Sequence, residues 1–90
     1  MRLGALAAVD PDSPRAHELL AWSLMQQEKW REAIASVTRL IAIRPGDGKA
    51  YHNRAGCYAR LGDRKAALED VRIACQLGYQ DGCRMLHRLE

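Results

Sequence analysis

Apolar residues recur along the chain at spacings of three and four, the signature of helices with one buried face. The run from Ser13 to about Gln27 places Leu20, Ala21 and Leu24 on one face with the ring of His17. Ser13-Pro14 supplies its start, a hydroxyl that caps a free backbone N–H and a proline at a position where a missing N–H costs nothing. The polar stretch Gln26 to Lys29 reads as a turn. A second helix is predicted from Trp30 to about Ile43, with Ala33, Ile34, Val37, Leu40 and Ile41 as its buried stripe and Pro45-Gly46 as its stop. Tyr51 to Leu61 and Ala66 to Leu77 form a further pair of periodic runs that meet at Gly62-Asp63. There the glycine takes left-handed backbone to end one helix and the aspartate caps the next. Leu3 to Val9 predicts a short helix stopped before Pro11; it runs straight into Asp10-Pro11-Asp12, which argues against a secretory signal. Asp81 to Leu89 predicts a last helix with Met85, Leu86 and Leu89 as its apolar contacts. No β-branched run alternates in strand fashion, so the pattern predicts an all-α chain built from antiparallel helical hairpins.

The two hairpins are copies. Ala21 and Ala55, Leu24 and Tyr58, Ala33 and Ala67, Ile34 and Leu68, Val37 and Val71, and Ile43 and Leu77 are each separated by 34 positions. One unit, Pro14 to Asp47, carries His17, Ala21, Leu24, Ala33, Val37, Leu40 and Pro45; the other, Gly48 to Asp81, carries Tyr51, Ala55, Tyr58, Ala67, Val71, Ala74 and Tyr79 at the same places. On these residues, and above all on the stretch AYHNRAGCYARLGD, the chain resembles the tetratricopeptide repeat (TPR) family. The resemblance implies a right-handed TPR-like solenoid of antiparallel helix hairpins with short terminal helices. It covers residues 1–90 as a single domain: 1–13 as the end of a preceding unit or a capping helix, 14–47 and 48–81 as two repeats, and 82–90 as a C-terminal capping helix. Three positions depart from the family pattern. Leu40 is large where a small residue is usual, Glu28 stands in place of the turn glycine, and Tyr79 replaces a proline. The last of these leads us to expect a longer or bent helix at the exit of the second unit.

Composition narrows the partners. Fourteen basic and 11 acidic side chains give a formal charge of +3 and are mixed along the chain, so no phosphate-tracking surface for nucleic acid is expected. No segment approaches the apolar length that spans a bilayer. Three cysteines without a CxxC pair suggest free, mostly packed thiols and a reducing, cytoplasmic setting.

Helical spacing puts a second stripe on the first helix of each unit: Arg15, Glu18, Trp22, Met25 and Gln26 in one, and Lys49, His52, Gly56, Ala59 and Arg60 in the other. The resemblance implies that these positions line a concave groove that holds an extended peptide or a partner helix. Trp22 would then anchor a partner, or else pack against the N-terminal helix. Arg15, Lys49 and Asn53 stand at positions of the kind that clamp a terminal carboxylate in some family members, although Glu18 and Trp22 stand where further clamp residues would be. Trp30 is expected to close its hairpin, and Arg54 to lay its methylenes along the core and send its guanidinium to solvent or to a carboxylate. Cys57, Cys75, Cys83 and His87 fit no usual zinc spacing, and Gly46-Asp47-Gly48-Lys49 lacks the strand and hydroxyl of a phosphate loop. No metal, cofactor or catalytic group is expected. The sequence thus points to an adaptor or scaffold module that binds a protein or peptide, with an acidic or C-terminal segment as the suited ligand. The alternative is a structural repeat fragment that self-associates through its ends.

Overall fold

The computed structural model describes residues 13–89, which form five α-helices: α1 Pro14–Gln26, α2 Trp30–Ile43, α3 Gly48–Arg60, α4 Arg64–Gln76 and α5 Gln80–Leu89. The helix expected over Leu3 to Val9 lies outside the described residues. Three of the described helices, α1, α3 and α4, begin at side-chain caps. Ser13 Oγ accepts from the N–H of Ala16 at 3.2 Å, Asp47 Oδ1 from that of Ala50 at 3.2 Å, and Asp63 Oδ1 from that of Ala66 at 3.1 Å. Each such cap contributes about 1 kcal/mol.

The turns inside the two hairpins share one backbone conformation. Gly62 has φ 83° and Glu28, at the equivalent place in the first unit, has φ 60°. A side chain there is strained where glycine is not. The exit of the second unit is not the longer helix expected from Tyr79: α4 ends at Gln76, whereas α2 runs to Ile43, the equivalent of Leu77. Gly78, at φ 89°, stops α4 in left-handed backbone, which turns the chain directly into α5.

Each helix packs chiefly on the next, and the described residues form a stack 46 × 24 × 16 Å in extent. The core is correspondingly divided. Ala21, Val37, Leu40 and Ala50 pack together with half-buried Ile41, joining α1, α2 and α3. Ala55, Ala67 and Val71 pack with Tyr58, Met85 and Leu86, joining α3, α4 and α5. Each cluster therefore draws on one hairpin and the first helix of the next, so hairpins are stabilised by their neighbours. Leu40, unusual by the family pattern, is accommodated at 3% exposure. Leu20, expected on the buried face, is instead 46% exposed. The reason lies in its counterpart Arg54, which reaches Thr38 of the preceding hairpin (Nη1 to Oγ1, 3.2 Å); among the described residues no helix precedes α1 to cover Leu20 in that way.

Arg54 sends its guanidinium to a carboxylate: Asp70 on α4 is its partner, and the rings of Tyr51 and Tyr58 lie 5.4 and 6.0 Å from its Cζ. The expectation of three free, packed thiols is corrected. Cys57 is free and fully buried, but Cys75 and Cys83 form a disulfide that ties α4 to α5. Their backbones meet because Gly82 has no side chain: a Cβ there would stand 2.9 Å from that of Ala74.

Candidate partner-binding groove

The first helices of the hairpins carry the expected second stripe, and the structure divides it. On α1, Arg15, Trp22 and Gln26 are exposed while Glu18 and Met25 are half-buried. On α3, Lys49, Gly56, Ala59 and Arg60 are exposed while His52 and Asn53 are half-buried. Trp22 is 61% exposed, the most open of the large apolar residues described. Its possible contact with an N-terminal helix lies outside the described residues. The equivalent position on α3 is Gly56, where a Cβ would meet nothing within 4 Å. One unit thus projects an indole where the other leaves space.

That space opens into a cavity of about 650 Å³ between α3 and α5, with α4 as its floor. It exists because Ala55, Gly56 and Ala59 on α3 and Ala67 on α4 are too small to fill it. Leu68 and Val71 of α4 and Met85 and Leu89 of α5 supply apolar walls. The polar members are His52, Arg64 and Lys65, and no carboxylate is among the lining residues. An apolar hollow with cations at its edge suits an apolar side chain that carries negative charge nearby. His52 stacks obliquely on Tyr79, with ring centroids 5.2 Å apart, and its Nδ1 is buried without a hydrogen-bond partner.

Of the groove positions expected from sequence, His52, Gly56 and Ala59 line the cavity. Arg15, Glu18, Trp22, Met25, Gln26, Lys49 and Asn53 do not, so the three residues of the carboxylate-clamp reading stand outside it. Arg60 does not either; its Cζ lies 5.2 Å from the ring of Trp30, which is half-buried at the start of α2. Sequence reasoning missed Arg64, Lys65, Leu68 and Ala67 as site residues because they belong to the second helix of the hairpin, which was read as core alone. The available signal was the run of small residues Ala55, Gly56 and Ala59, which leaves a gap when stacked against α5.

Two titrating groups of the second unit hold their protons more tightly than usual. Burial pushes the Cys57 thiol up from its ordinary 9.0, keeping it protonated and unreactive at neutral pH. The Tyr79 hydroxyl is also raised, first by desolvation and then by the charge of Asp81. Among the described residues no three His, Cys, Asp or Glu side chains gather to hold a metal ion, and no helix is long and apolar enough to cross a membrane.

Comparison with known proteins bears on the family. The tetratricopeptide repeat family model matches residues 2–47 and 19–81. Hsp70-Hsp90 organizing protein 1 of Glycine max is 41% identical over 54 residues, which are 60% of this chain and 9% of that protein. Mitochondrial import receptor subunit TOM70 of Homo sapiens is 36% identical over 62 residues, 68% of this chain and 10% of that protein. Hsp70-Hsp90 organizing protein of Triticum aestivum is 35% identical over 54 residues, again 60% of this chain and 9% of the relative. The chain spans about a tenth of the length of the curated relatives it matches.

Proposed function

The chain belongs to the tetratricopeptide repeat family, and on that premise we propose that it is a non-catalytic adaptor module whose concave face binds a segment of a partner protein. The observation that carries this reading is the pairing of an exposed indole, Trp22, with an open apolar cavity at the equivalent place on the next hairpin. Stacked hairpins form extended concave surfaces, and an exposed tryptophan beside an apolar hollow offers the kind of anchor that dominates interface energy. Trp22 and Met25 would grip one apolar residue of the partner, and the cavity a second. Arg15, Lys49, Arg64 and Lys65 favour an acidic or C-terminal segment by charge, which mainly sets encounter rate and selectivity, and His52 offers its ring at the cavity edge. Arg60, engaged with Trp30, has a smaller share in this than the sequence suggested. Relatives named for organizing Hsp70 and Hsp90, and for mitochondrial import, support a partner that is a protein chain rather than nucleic acid or lipid. A cytoplasmic location fits this reading if the Cys75–Cys83 bridge is made and broken rather than permanent.

Selection of random peptides on the immobilised chain tests the proposal, with the C-terminal peptides of Hsp70 and Hsp90 as defined probes. Enriched peptides are expected to pair apolar with acidic residues or with a free C-terminus. Enrichment of basic peptides, or of none, contradicts it.

Self-association has one observation in its favour. Leu19 and Leu20 are 55% and 46% exposed on α1, on a face with no neighbour among the described residues. Light scattering across concentration separates the readings, since a chain that stays monomeric does not stack through that face.

A further inference from the structure

The Cys75–Cys83 bridge sits where it can govern the groove. It joins the last turn of α4 to the first turn of α5, and α5 supplies Met85 and Leu89 to the cavity. A helix of ten residues does not hold its shape in water by itself, so α5 depends on docking and on the bridge. Its docking is modest: Met85 and Leu86 are half-buried, and only Gly82 is fully buried. In the first unit the equivalent positions are Ile41 and Lys49, which form no such bond. There α3 is thirteen residues long and is packed between α2 and α4, so no cross-link is needed.

We propose that the Cys75–Cys83 bridge is a redox-operated clasp on the groove: oxidised, it holds α5 against α4 and completes the cavity; reduced, it lets α5 loosen and removes that wall. The inference rests on reading the groove as the binding face. Both cysteines are half-buried and so remain within reach of a small reagent, whereas Cys57 is fully buried and takes no part. The exchange is balanced with a low-molecular-weight disulfide such as oxidised glutathione. One protein thiolate attacks the reagent's S–S bond and expels a thiolate, giving a mixed disulfide. The second protein thiolate then attacks the protein sulfur and expels the other. Two protein thiols are oxidised, one reagent disulfide is reduced to two thiols, and the two protons released by Cys75 and Cys83 end on them. A dithiol reverses the reaction.

Amide hydrogen exchange of the chain without any partner tests this. The samples are the oxidised protein, the protein reduced with dithiothreitol, and the variant Cys75→Ser/Cys83→Ser. Amides of α5 are expected to exchange up to about 80-fold faster in the latter two, the loop-entropy value for so short a cross-linked loop, while Ala55, Ala67 and Val71 keep their protection. Oxidised glutathione is expected to restore α5 in the reduced protein and not in the variant. Equal protection of α5 in all three samples overturns the proposal. So does a parallel loss across all five helices, which makes the bridge a general staple, or a failure of glutathione to restore α5. Because no partner is present, each of these failures leaves the groove reading to be decided by peptide binding.

Discussion

Arg54 and Asp70 form a two-point ion pair between α3 and α4, with Nε donating to Oδ2 at 2.7 Å and Nη2 to Oδ1 at 2.9 Å. The side chains are only 17% and 4% exposed, and the guanidinium is held above its ordinary pKa, first by its hydrogen bond to Asp70, against the opposing effect of burial. Removing one member leaves the other charged and buried. Arg54→Met is expected to lower unfolding free energy by about 3 kcal/mol in urea denaturation. Arg54→Lys should recover only part of this, because an ammonium cannot match both carboxylate oxygens. A loss for Arg54→Met no greater than that of an exposed pair, about 0.5 kcal/mol, would show the ion pair to be dispensable.

Glu28 carries the strain that Gly62 avoids in the equivalent turn. Glu28→Gly is expected to stabilise the domain by about 1 kcal/mol, the usual cost of a side chain in left-handed backbone. Gly62→Ala should move thermal melting in the opposite direction. A destabilised Glu28→Gly would mean that the glutamate side chain makes compensating contacts.

Alkaline pH should weaken the fold through Cys57. Its folded-state pKa is raised by burial above the ordinary 9.0, so the folded protein holds this proton more tightly than the unfolded chain. The associated stability is complete below pH 9.0 and is lost as pH rises from there through the folded value. Denaturation at stepped pH should show a decline above that point that is flatter in Cys57→Ala. Identical pH slopes would contradict the assignment.

The fold was largely legible because its determinants are local and repeated. Ser13, Asp47 and Asp63 cap the helices they precede, and Gly62 turns where its sequence position says it must. The cavity was less legible because it is made by what Ala55, Gly56 and Ala59 lack, and because α5 must be placed in space before a gap appears. The Cys75–Cys83 bond was hidden for a related reason. An eight-residue spacing does not specify a bridge until Gly78 turns the chain and Gly82 lets α5 approach Ala74. Helical spacing put Arg60 on the stripe that the family resemblance assigns to the groove, yet its guanidinium lies over the Trp30 ring on the neighbouring α2, a contact between hairpins that spacing along one helix does not reveal.

Trp22→Ala removes an exposed side chain and should leave helicity and melting temperature unchanged, while weakening a peptide selected on the groove by about tenfold or more. Unchanged affinity would remove Trp22 from the binding face.

The central claim is tested most directly by titrating such a peptide into Gly56→Leu and the parent protein. The added side chain has open space to enter, and replacing a mid-helix glycine favours the helix, by about 0.5–1 kcal/mol in the case of alanine. The variant is therefore expected to fold at least as stably as the parent and, with its cavity filled, to bind the peptide about tenfold or more weakly. A stable Gly56→Leu that binds with parental affinity would contradict the account.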